Sequence, residues 1–401
     1  GSLFVPILAE RDGHAFIADA VRAGAVAYLT SQPSRDAATA AVVVADTATA
    51  LLALGRHART RLPDRVIGIT GSVGKTTVKD LTRAALAPRY SAHANDRSFN
   101  NELGVPLTLA NAPDDTDVTV VEMGARGRGH IAFLCDVARP TIGIVTAVEL
   151  AHTELFGSLE EVAAAKSELV EALPGGGVAI LNADRPLVLA MASRTAAQVI
   201  TFGIDATGVD VTAAAIEVDD ELRPSFELRS PWGNASVRLP VAGLHQVSNA
   251  LAAASAALAT GVTPEEVAAG LATASISPWR MELRRASSGA IVINDAYNAN
   301  PASTEAALRS LAALPARRRI AVLGVMAELG EAGPAEHQRI ARLAKDLGID
   351  ALAVDAPDYG VPVVHGIEGV LAVLHPEDGD AVLVKASRVA GLEVLASALS
   401  N

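Results

Sequence analysis

The chain has 401 residues, of which 50% are hydrophobic and 3% aromatic, and its formal net charge is −12. This length predicts two to three domains, and the hydrophobic content argues against disorder as the main state. The negative charge argues against a general binder of nucleic acid or of anionic membranes, although a local loop can still hold a small phosphate ligand.

A single cysteine, Cys135, cannot form an internal disulfide, which favours a reducing compartment. The first residues have neither the basic region nor the cleavage pattern of a secretory signal. The longest charge-free stretch, Leu239 to Pro264, is long enough to cross a membrane, but it contains Gly, His, Gln and Asn residues. We predict a buried helix there, at about Val247 to Ala259, and expect a cytoplasmic protein with no membrane span.

The first block of the chain predicts a small domain of mixed structure. Strand-like runs (LFVPIL, AVAYLT and AVVVAD) alternate with helical stretches, and the last helix ends at the break Leu62-Pro63-Asp64. We place an N-terminal α/β domain at residues 1–64.

A second block repeats an apolar run, a glycine-bearing turn and a helical stretch. The runs are VIGIT (66–70), VTVVEMG (118–124), TIGIVTAV (141–148) and VAILNAD (178–184). Short β-branched runs between helices predict a mostly parallel sheet covered on both faces. Between Gly208 and Leu239 the apolar residues alternate with period two, which predicts an antiparallel appendage. We assign residues 65–274 to this central domain.

A third block, residues 275–401, again alternates apolar runs with helical patterns. Its predicted strands are AIVIND (290–295), RIAVLG (319–324), ALAVD (351–355), PVVHG (362–366) and AVLVKA (381–386). This alternation predicts an open, Rossmann-like parallel sheet. The predicted fold class is therefore α/β, with three domains.

The segment TGSVGKTT (70–77) lies between the first central strand and a helical stretch. A glycine-rich turn in that place directs backbone N–H groups at one point, and the helix N-terminus adds partial positive charge. Lys75 supplies an ammonium group for phosphates and Thr76 a hydroxyl for Mg²⁺. The strict phosphate-loop pattern has its first glycine where this chain has Ile69. We predict a nucleoside-triphosphate site formed by Gly71, Ser72, Val73, Gly74, Lys75, Thr76 and Thr77.

A phosphate loop alone leaves kinases, GTPases, motors and ligases open. Glu122 ends a neighbouring strand and places a carboxylate where a Mg²⁺ ligand would lie, although it could equally be a solvated strand-end charge. The guanine-reading motif N-K-x-D is absent from the sequence, which disfavours a GTPase.

Eight blocks, in order along nearly the whole chain, resemble the Mur ligase family. They are TGSVGKTT, NNELGVPLTL (100–109), VVEMGARGRGHI (120–131), AHTELFGSLEEVAAAKSELV (151–170), LNAD (181–184), GLHQVSNALAAA (243–254), NDAYNANPAS (294–303) and VLGVMAELGE (322–331). The resemblance implies a three-domain ATP-dependent ligase of cytoplasmic peptidoglycan precursor synthesis. Within the family, NDAYNANP favours addition of D-alanyl-D-alanine to a UDP-muramoyl tripeptide through an acyl phosphate.

Four alternatives stay open. A related amide ligase would add a different amino acid, and a folylpolyglutamate-synthase-like ligase would share the phosphate loop and the lysine. A non-catalytic module would bind nucleotide only. A simple phosphotransferase would release no phosphate in the presence of an amine acceptor, whereas a ligase would.

The resemblance also implies a catalytic set of Lys75, His152, Lys166 and Arg280. It implies that Thr76 and Glu122 hold a first Mg²⁺, and that His152 and Lys166 hold a second one after CO₂ has carbamylated the lysine. Carbamylation needs a neutral amine, hence a depressed lysine pKa. The plainer interpretations are a strand-end hydrogen bond for His152 and a solvated helix lysine for Lys166.

Further contacts are implied by the same blocks. The adenine, ribose and γ-phosphate of ATP would be contacted by Asn249, Arg280, Asp295, Tyr297 and Asn298, and the tripeptide by Asn100, Asn101 and Thr108. The first domain would bind the uridine diphosphate, for which Ser2 and Arg11 are weak candidates. Val325 stands where the family usually has aspartate, so the contact there is in doubt. We expect small-molecule substrates, no nucleic-acid partner and a monomer.

Overall fold

A computed structural model describes residues 1–32, 39–95, 98–149 and 156–400. Within these residues the strands form three sheets, of three, nine and six strands. Their order along the chain is the predicted one: a small α/β unit, a large mixed sheet and a second open sheet.

The first sheet is parallel and small. Its strands, in the order β1-β2-β3, are β1 (Ser2–Phe4), β2 (Ala25–Thr30) and β3 (Ala40–Val43). Helix α1 spans Ile17–Arg22, and α2 spans Thr47–Arg61. Asp46 caps α2 by accepting a hydrogen bond from the Thr49 amide at 2.6 Å, and the helix ends before Pro63, which cannot donate to a following turn.

The nine-stranded sheet has the order β12-β11-β10-β9-β8-β7-β4-β6-β5. Its strands are β4 (Val66–Thr70), β5 (Ala92–Ala94), β6 (Val118–Glu122), β7 (Ile142–Val145), β8 (Val178–Asn182), β9 (Gln198–Gly203), β10 (Val211–Val218), β11 (Pro224–Ser230) and β12 (Gly233–Arg238). Strands β4 to β9 are parallel to their neighbours, and β10 to β12 pair antiparallel. The predicted parallel sheet and its antiparallel appendage are confirmed.

Helices cover both faces of this sheet. They are α3 (Lys75–Leu86), α4 (Gly104–Ala110), α5 (His130–Ala138), α6 (Leu159–Glu171), α7 (Pro186–Leu189), α8 (Gln246–Ala259) and α9 (Pro264–Ala272). Ile67 and Ile69 of β4 pack with α3 and α8 in one apolar cluster, whereas Val66 packs with α5 and α6 in another. Because every residue of β4 is buried, the strand appears in the sequence as a continuous apolar run.

The charge-free stretch from Leu239 to Pro264 contains the predicted buried helix, which is α8. Eleven of its fourteen residues are buried, and α8 packs against α3. In the described part of the chain, no helix is long and apolar enough to cross a membrane.

The third sheet has the order β13-β14-β18-β15-β16-β17, with only β13 antiparallel. Its strands are β13 (Glu282–Arg285), β14 (Ile291–Asp295), β15 (Arg318–Leu323), β16 (Asp350–Val354), β17 (Val363–Val364) and β18 (Asp380–Lys385). The helices are α10 (Pro301–Ala313), α11 (Gly333–Asp346), α12 (Gly366–Val373) and α13 (Glu393–Ser400). The open parallel sheet is confirmed, although the predicted strand at 362–366 is only two residues long.

The topology fixes where a ligand can bind. Strand β4 lies between β6 and β7. From β4 the chain crosses to β5 and β6 on one side, and from β6 it crosses back over β4 to β7 on the other side. At such a reversal the loops diverge and leave a crevice at the carboxyl ends of the strands. That crevice receives the loop after β4 and the last residue of β6.

Candidate active site

The loop from Gly71 to Gly74 joins β4 to α3 and needs glycine at both ends. Gly71 has φ 150° and Gly74 has φ 83°, conformations that side chains with a Cβ rarely adopt. A Cβ on Gly71 would collide with the Thr146 side chain, and one on Gly74 would lie 2.6 Å from Oδ1 of Asn249. The backbone is therefore closely approached by its surroundings, as a phosphate-binding loop requires.

The segment after β7 holds this loop in place. The Ser72 amide donates to the Ala147 carbonyl at 2.8 Å, and the Ser72 hydroxyl donates to the Glu149 carbonyl at 3.0 Å. The hydroxyl of Thr146 donates to the Val73 carbonyl at 2.6 Å. These contacts leave the first amides of α3 directed into the crevice, where the helix N-terminus favours an anion.

Lys75, the first residue of α3, folds back over this loop. Its Nζ donates to the Gly71 carbonyl at 2.7 Å. Burial lowers the pKa of Lys75, and the nearby Glu122 carboxylate opposes that shift. The ammonium therefore has a backbone acceptor that a phosphate oxygen can replace.

Thr76 and Glu122 form a pair of oxygen donors beside Lys75. The Thr76 hydroxyl donates to Oε2 of Glu122 at 2.8 Å, and Glu122 is buried. The Asn100 amide donates to the other carboxylate oxygen at 2.7 Å, and the Ser98 hydroxyl lies 3.0 Å from Oγ1 of Thr76. Hydroxyl and carboxylate oxygens are the ligands that Mg²⁺ prefers, so these residues fit that ion. Glu122 is not the solvated strand-end charge of the plainer interpretation.

Lys166, on α6, faces the same crevice from the opposite face of the sheet. Its side chain is 4% exposed, so it is not the solvated lysine that its acidic neighbours alone would predict. Burial, and then the positive charge of Lys75, lower the pKa of Lys166 to about 7. Glu168 fixes α6 by accepting hydrogen bonds from the Gly129 and Ala132 amides at 2.6 and 3.0 Å.

His152 lies outside the described residues, so its predicted place beside Lys166 is untested. Among the residues that are described, no group of three or more His, Cys, Asp or Glu side chains could hold a metal ion by itself. The candidate Mg²⁺ ligands beside Glu122 are instead hydroxyl oxygens, those of Thr76 and Ser98.

The linker before β13 brings Arg280 to the phosphate loop. Nη2 of Arg280 donates to the Thr76 hydroxyl at 2.9 Å and to the Ser98 hydroxyl at 3.3 Å. The guanidinium carbon lies 4.2 Å from the centre of the Tyr297 ring, within the range of a cation–π contact. The Arg280 Nε atom is buried and, within the described part of the chain, has no hydrogen-bond partner, which leaves one unpaired donor on the guanidinium.

Asp295, at the end of β14, is held by two donors. Its Oδ1 accepts from the Met281 amide at 3.1 Å, and its Oδ2 accepts from Nζ of Lys385 at 2.6 Å. Lys385 is 2% exposed and also donates to the Asn298 carbonyl at 2.9 Å. Sequence reasoning missed Lys385, although a lysine that ends the apolar run AVLVK was the available signal.

The start of α8 contributes an amide and an imidazole. Nδ2 of Asn249 donates to Oε1 of Gln246 at 2.8 Å, so its Oδ1 is directed at Gly74. The Nδ1 atom of His245 is buried and has no hydrogen-bond partner among the residues that the structure describes, and burial lowers the pKa of His245. His245 is a second residue of the crevice to which the sequence reasoning gave no role.

These groups line one cavity of about 480 Å³ between the second and third sheets. The predicted residues that line it are Ser72, Val73, Gly74, Lys75, Thr76, Thr77, Asn100, Asn101, Glu122, Lys166, Asn249, Arg280, Asp295, Tyr297 and Asn298. Thr108 does not line it, because its hydroxyl donates to the Gly104 carbonyl inside α4. Asn101 does line it, and its Oδ1 accepts from the Gly104 amide at 2.9 Å. Ser2, Arg11 and Val325 lie elsewhere.

The sequence matches two protein-family models. Residues 69–257 match the model of the Mur ligase middle domain, and residues 279–388 match that of the Mur ligase, glutamate ligase domain. The chain is 41% identical to the UDP-N-acetylmuramoyl-tripeptide--D-alanyl-D-alanine ligase of Mycobacterium bovis, over 100% of this chain and 89% of the relative. It is 35% identical to the ligase of the same name from Escherichia coli, over 100% and 91%.

Solved structures give the same result. MurF from Acinetobacter baumannii superimposes with a TM-score of 0.89 at 31% identity, covering 100% of this chain and 90% of that one. MurF ligase from Thermotoga maritima, in complex with ADP, superimposes with a TM-score of 0.85 at 25% identity, covering 100% and 94%.

Proposed function

The chain belongs to the Mur ligase family, and we propose that it is the ATP-dependent ligase that adds D-alanyl-D-alanine to UDP-N-acetylmuramoyl-tripeptide. The relatives that match over its whole length carry that name. The observation that carries the proposal is the convergence of Lys75, the Thr76–Glu122 pair, Lys166 and Arg280 in one cavity.

The chemistry requires activation of a carboxylate. A carboxylate is a poor electrophile, so ATP supplies its γ-phosphoryl group to the terminal carboxylate of the tripeptide. The amine of D-alanyl-D-alanine then attacks the acyl carbon, the amide bond forms, and inorganic phosphate leaves with the electron pair of the broken C–O bond. The amine loses a proton, and the products are the UDP-linked pentapeptide, ADP and phosphate.

The phosphate loop binds and orients the nucleotide in this proposal. Lys75 exchanges the Gly71 carbonyl for phosphate oxygens, and the first amides of α3 hold the same phosphates. Thr76 and Glu122 would hold a Mg²⁺ ion, which would neutralise phosphate charge. Asn100 keeps the Glu122 carboxylate turned towards Thr76, because it donates to the oxygen that Thr76 does not use.

We assign the second ion to His152 and a carbamylated Lys166. A pKa of about 7 leaves a large fraction of the Lys166 amine neutral at physiological pH. The neutral nitrogen attacks the carbon of CO₂ and releases a proton to solvent, and the resulting carbamate is an anion that would bind a metal ion. The positive charge of Lys75 lowers the pKa of Lys166. The same charge would stabilise the carbamate anion.

The remaining assignments follow the cavity. Asn249, Asp295, Tyr297 and Asn298 surround the nucleoside, and Arg280 binds the γ-phosphate. Asn100 and Asn101 lie towards the tripeptide. Thr108 supports α4 from inside and acts only through that helix.

The domain assignment follows the three sheets. Residues 1–64 bind the uridine diphosphate, residues 65–274 bind ATP, and residues 275–401 bind the dipeptide. We further propose a monomer that acts in the cytoplasm, where the UDP-linked precursors and ATP are found.

The test is an assay of phosphate release and pentapeptide formation with ATP, Mg²⁺ and the UDP-muramoyl tripeptide. The acceptor is D-alanyl-D-alanine, D-alanine, or absent. We expect one pentapeptide per phosphate with the dipeptide and little phosphate otherwise. Equal phosphate release with and without the dipeptide would contradict the proposal, and ligation of a single amino acid would assign the chain to another amide ligase.

A further inference from the structure

The linker between the second and third sheets is fixed to α3 by one carboxylate. Oδ2 of Asp80 accepts hydrogen bonds from both the amide and the hydroxyl of Ser277, at 2.7 and 2.8 Å. Asp80 is 7% exposed and lies in the second turn of α3. Two short bonds to one charged oxygen make a strong and directional contact.

A buried polar chain supports this carboxylate from behind. Nζ of Lys79 lies 3.1 Å from Oδ1 of Asp80 and donates to the Asn95 carbonyl at 2.6 Å. The side-chain oxygen of Asn95 in turn accepts from the Glu122 amide at 3.4 Å. We call the contact between Asp80 and Ser277 the clip. Through Lys79 and Asn95 it is connected to Glu122, the proposed metal ligand at the end of β6.

The spacing along both segments sets a register. Thr76 and Asp80 are four residues apart on α3, so they lie on one face, about 5–6 Å apart. Ser277 and Arg280 are three residues apart on the linker, and they contact Asp80 and Thr76 respectively. The linker thus runs back along α3 towards the phosphate loop, with one contact at each end.

The backbone around Arg280 shows that this path is imposed by the surroundings. Trp279 has φ 62° and Met281 has φ 51°, left-handed conformations that are unfavourable in residues other than glycine. The Trp279 carbonyl accepts from the Tyr297 amide, and the Met281 amide donates to Asp295. The third domain therefore fixes Trp279 and Met281, the two neighbours of Arg280, and the contact with Asp80 fixes the linker at Ser277, three residues before the arginine.

We propose that Asp80 and Ser277 are positioning residues, which hold the linker so that the Arg280 guanidinium reaches the Thr76 hydroxyl and the phosphate beside it. The inference rests on the proposed function and deepens it. Without the clip, the linker and the long arginine side chain sample many conformations, and one of them must be selected in each catalytic cycle.

A kinetic cycle tests the positioning role. Ser277→Ala removes one clip bond, Ser277→Thr keeps the hydroxyl, and Ser230→Ala is the control in a distant hairpin, where Ser230 bonds the Gly233 carbonyl. We expect Ser277→Ala to lower kcat about fivefold with KM for ATP nearly unchanged, and Ser277→Thr to restore most of kcat. In an Arg280→Lys background, the same Ser277→Ala change should lower kcat by less than about 1.5-fold, since coupled residues are not additive.

Equal losses in both backgrounds, or a loss carried by KM alone, would overturn the inference. A wild-type enzyme that forms no pentapeptide would instead refute the proposed function, and the clip would then be judged by a second measurement.

Tryptophan fluorescence supplies that measurement without activity. The chain has two tryptophans, so Trp232→Phe leaves Trp279, in the linker, as the only reporter. We expect Ser277→Ala and Asp80→Asn to raise the acrylamide quenching constant of Trp279 about twofold, because the linker loosens, whereas Ser230→Ala should not. Unchanged quenching in a Ser277→Ala protein of normal thermal stability would overturn the inference even if Asp80→Asn unfolds the chain.

Discussion

The buried Lys166 and the half-buried Lys75 face the same cavity, and the positive charge of Lys75 lowers the pKa of Lys166. Like charges in a site of low polarity disfavour each other, and the Lys166 pKa of about 7 reflects burial first and Lys75 second. A carbamate on Lys166 would replace this repulsion by attraction. At this scale the sequence motif and the geometry support the same proposal, that Lys166 is a reactive amine.

The first prediction concerns this amine. Lys166→Ala should reduce pentapeptide formation at least about 10³-fold, because the proposed second metal ion loses its anionic ligand. The matched control is Lys345→Ala, which removes an exposed lysine on α11 and should leave the rate unchanged. Incubation with ¹³C-bicarbonate should give a carbamate carbonyl signal in the wild type and not in Lys166→Ala. A near-normal rate in Lys166→Ala would contradict the assignment.

Asn100 shows how a residue-scale prediction depends on contacts that a motif does not contain. Sequence reasoning assigned Asn100 to the tripeptide, which stays a prediction, whereas the contact that the structure shows is from its amide to Glu122. The block NNELGVPLTL identifies the segment, but nothing in its spacing reveals a carboxylate that lies 22 positions away.

The strands that were predicted best are those buried on both faces. Strand β4 matches its predicted run residue for residue, because both of its faces are buried under helices. Strands β5 and β13 were not predicted, since they are short edge strands of three and four residues without fully buried side chains. Strand β9, inside the nine-stranded sheet, was not predicted either. Edge strands carry a weak apolar signal, so a sequence pattern alone does not reveal them.

A prediction at the scale of elements concerns the start of β18. Asp380 begins this strand beside β15 and accepts from Arg318 at 2.5 Å and from Arg317 at 3.2 Å. The hydrogen bond from Arg318 is the largest cause that lowers the pKa of Asp380, to about 2, whereas the usual value is 3.8. The native state therefore binds fewer protons than the unfolded state between these values, and this contribution to stability is lost as the pH falls through them.

Asp380→Asn should accordingly lower the free energy of unfolding by about 2 kcal/mol above pH 4, as expected for a buried acceptor that loses its charge. The difference from wild type should shrink between pH 4 and pH 2. Chemical denaturation across this range measures both effects, with Asp358→Asn as an exposed control. A difference that is constant with pH would show that the carboxylate charge is not the cause.

At the scale of the whole molecule, the three-domain α/β order and the position of the phosphate loop could be predicted from the sequence. The contacts between domains could not. Between domains, the approach of Arg280 to Thr76 joins residues 204 positions apart. Within the third domain, the contact of Lys385 with Asp295 joins residues 90 apart, and no local pattern reveals it either. Local patterns determine each sheet, whereas the cavity exists only where the second and third sheets face each other.

In the proposed reaction, a phosphoryl group is transferred to a carboxylate in the cavity before an amine attacks. The most direct measurement uses the UDP-muramoyl tripeptide labelled with ¹⁸O in its terminal carboxylate, followed by mass analysis of the phosphate released during ligation. An acyl phosphate passes one carboxylate oxygen to each phosphate, so the account predicts one ¹⁸O per phosphate formed. Unlabelled phosphate released in step with pentapeptide would contradict it.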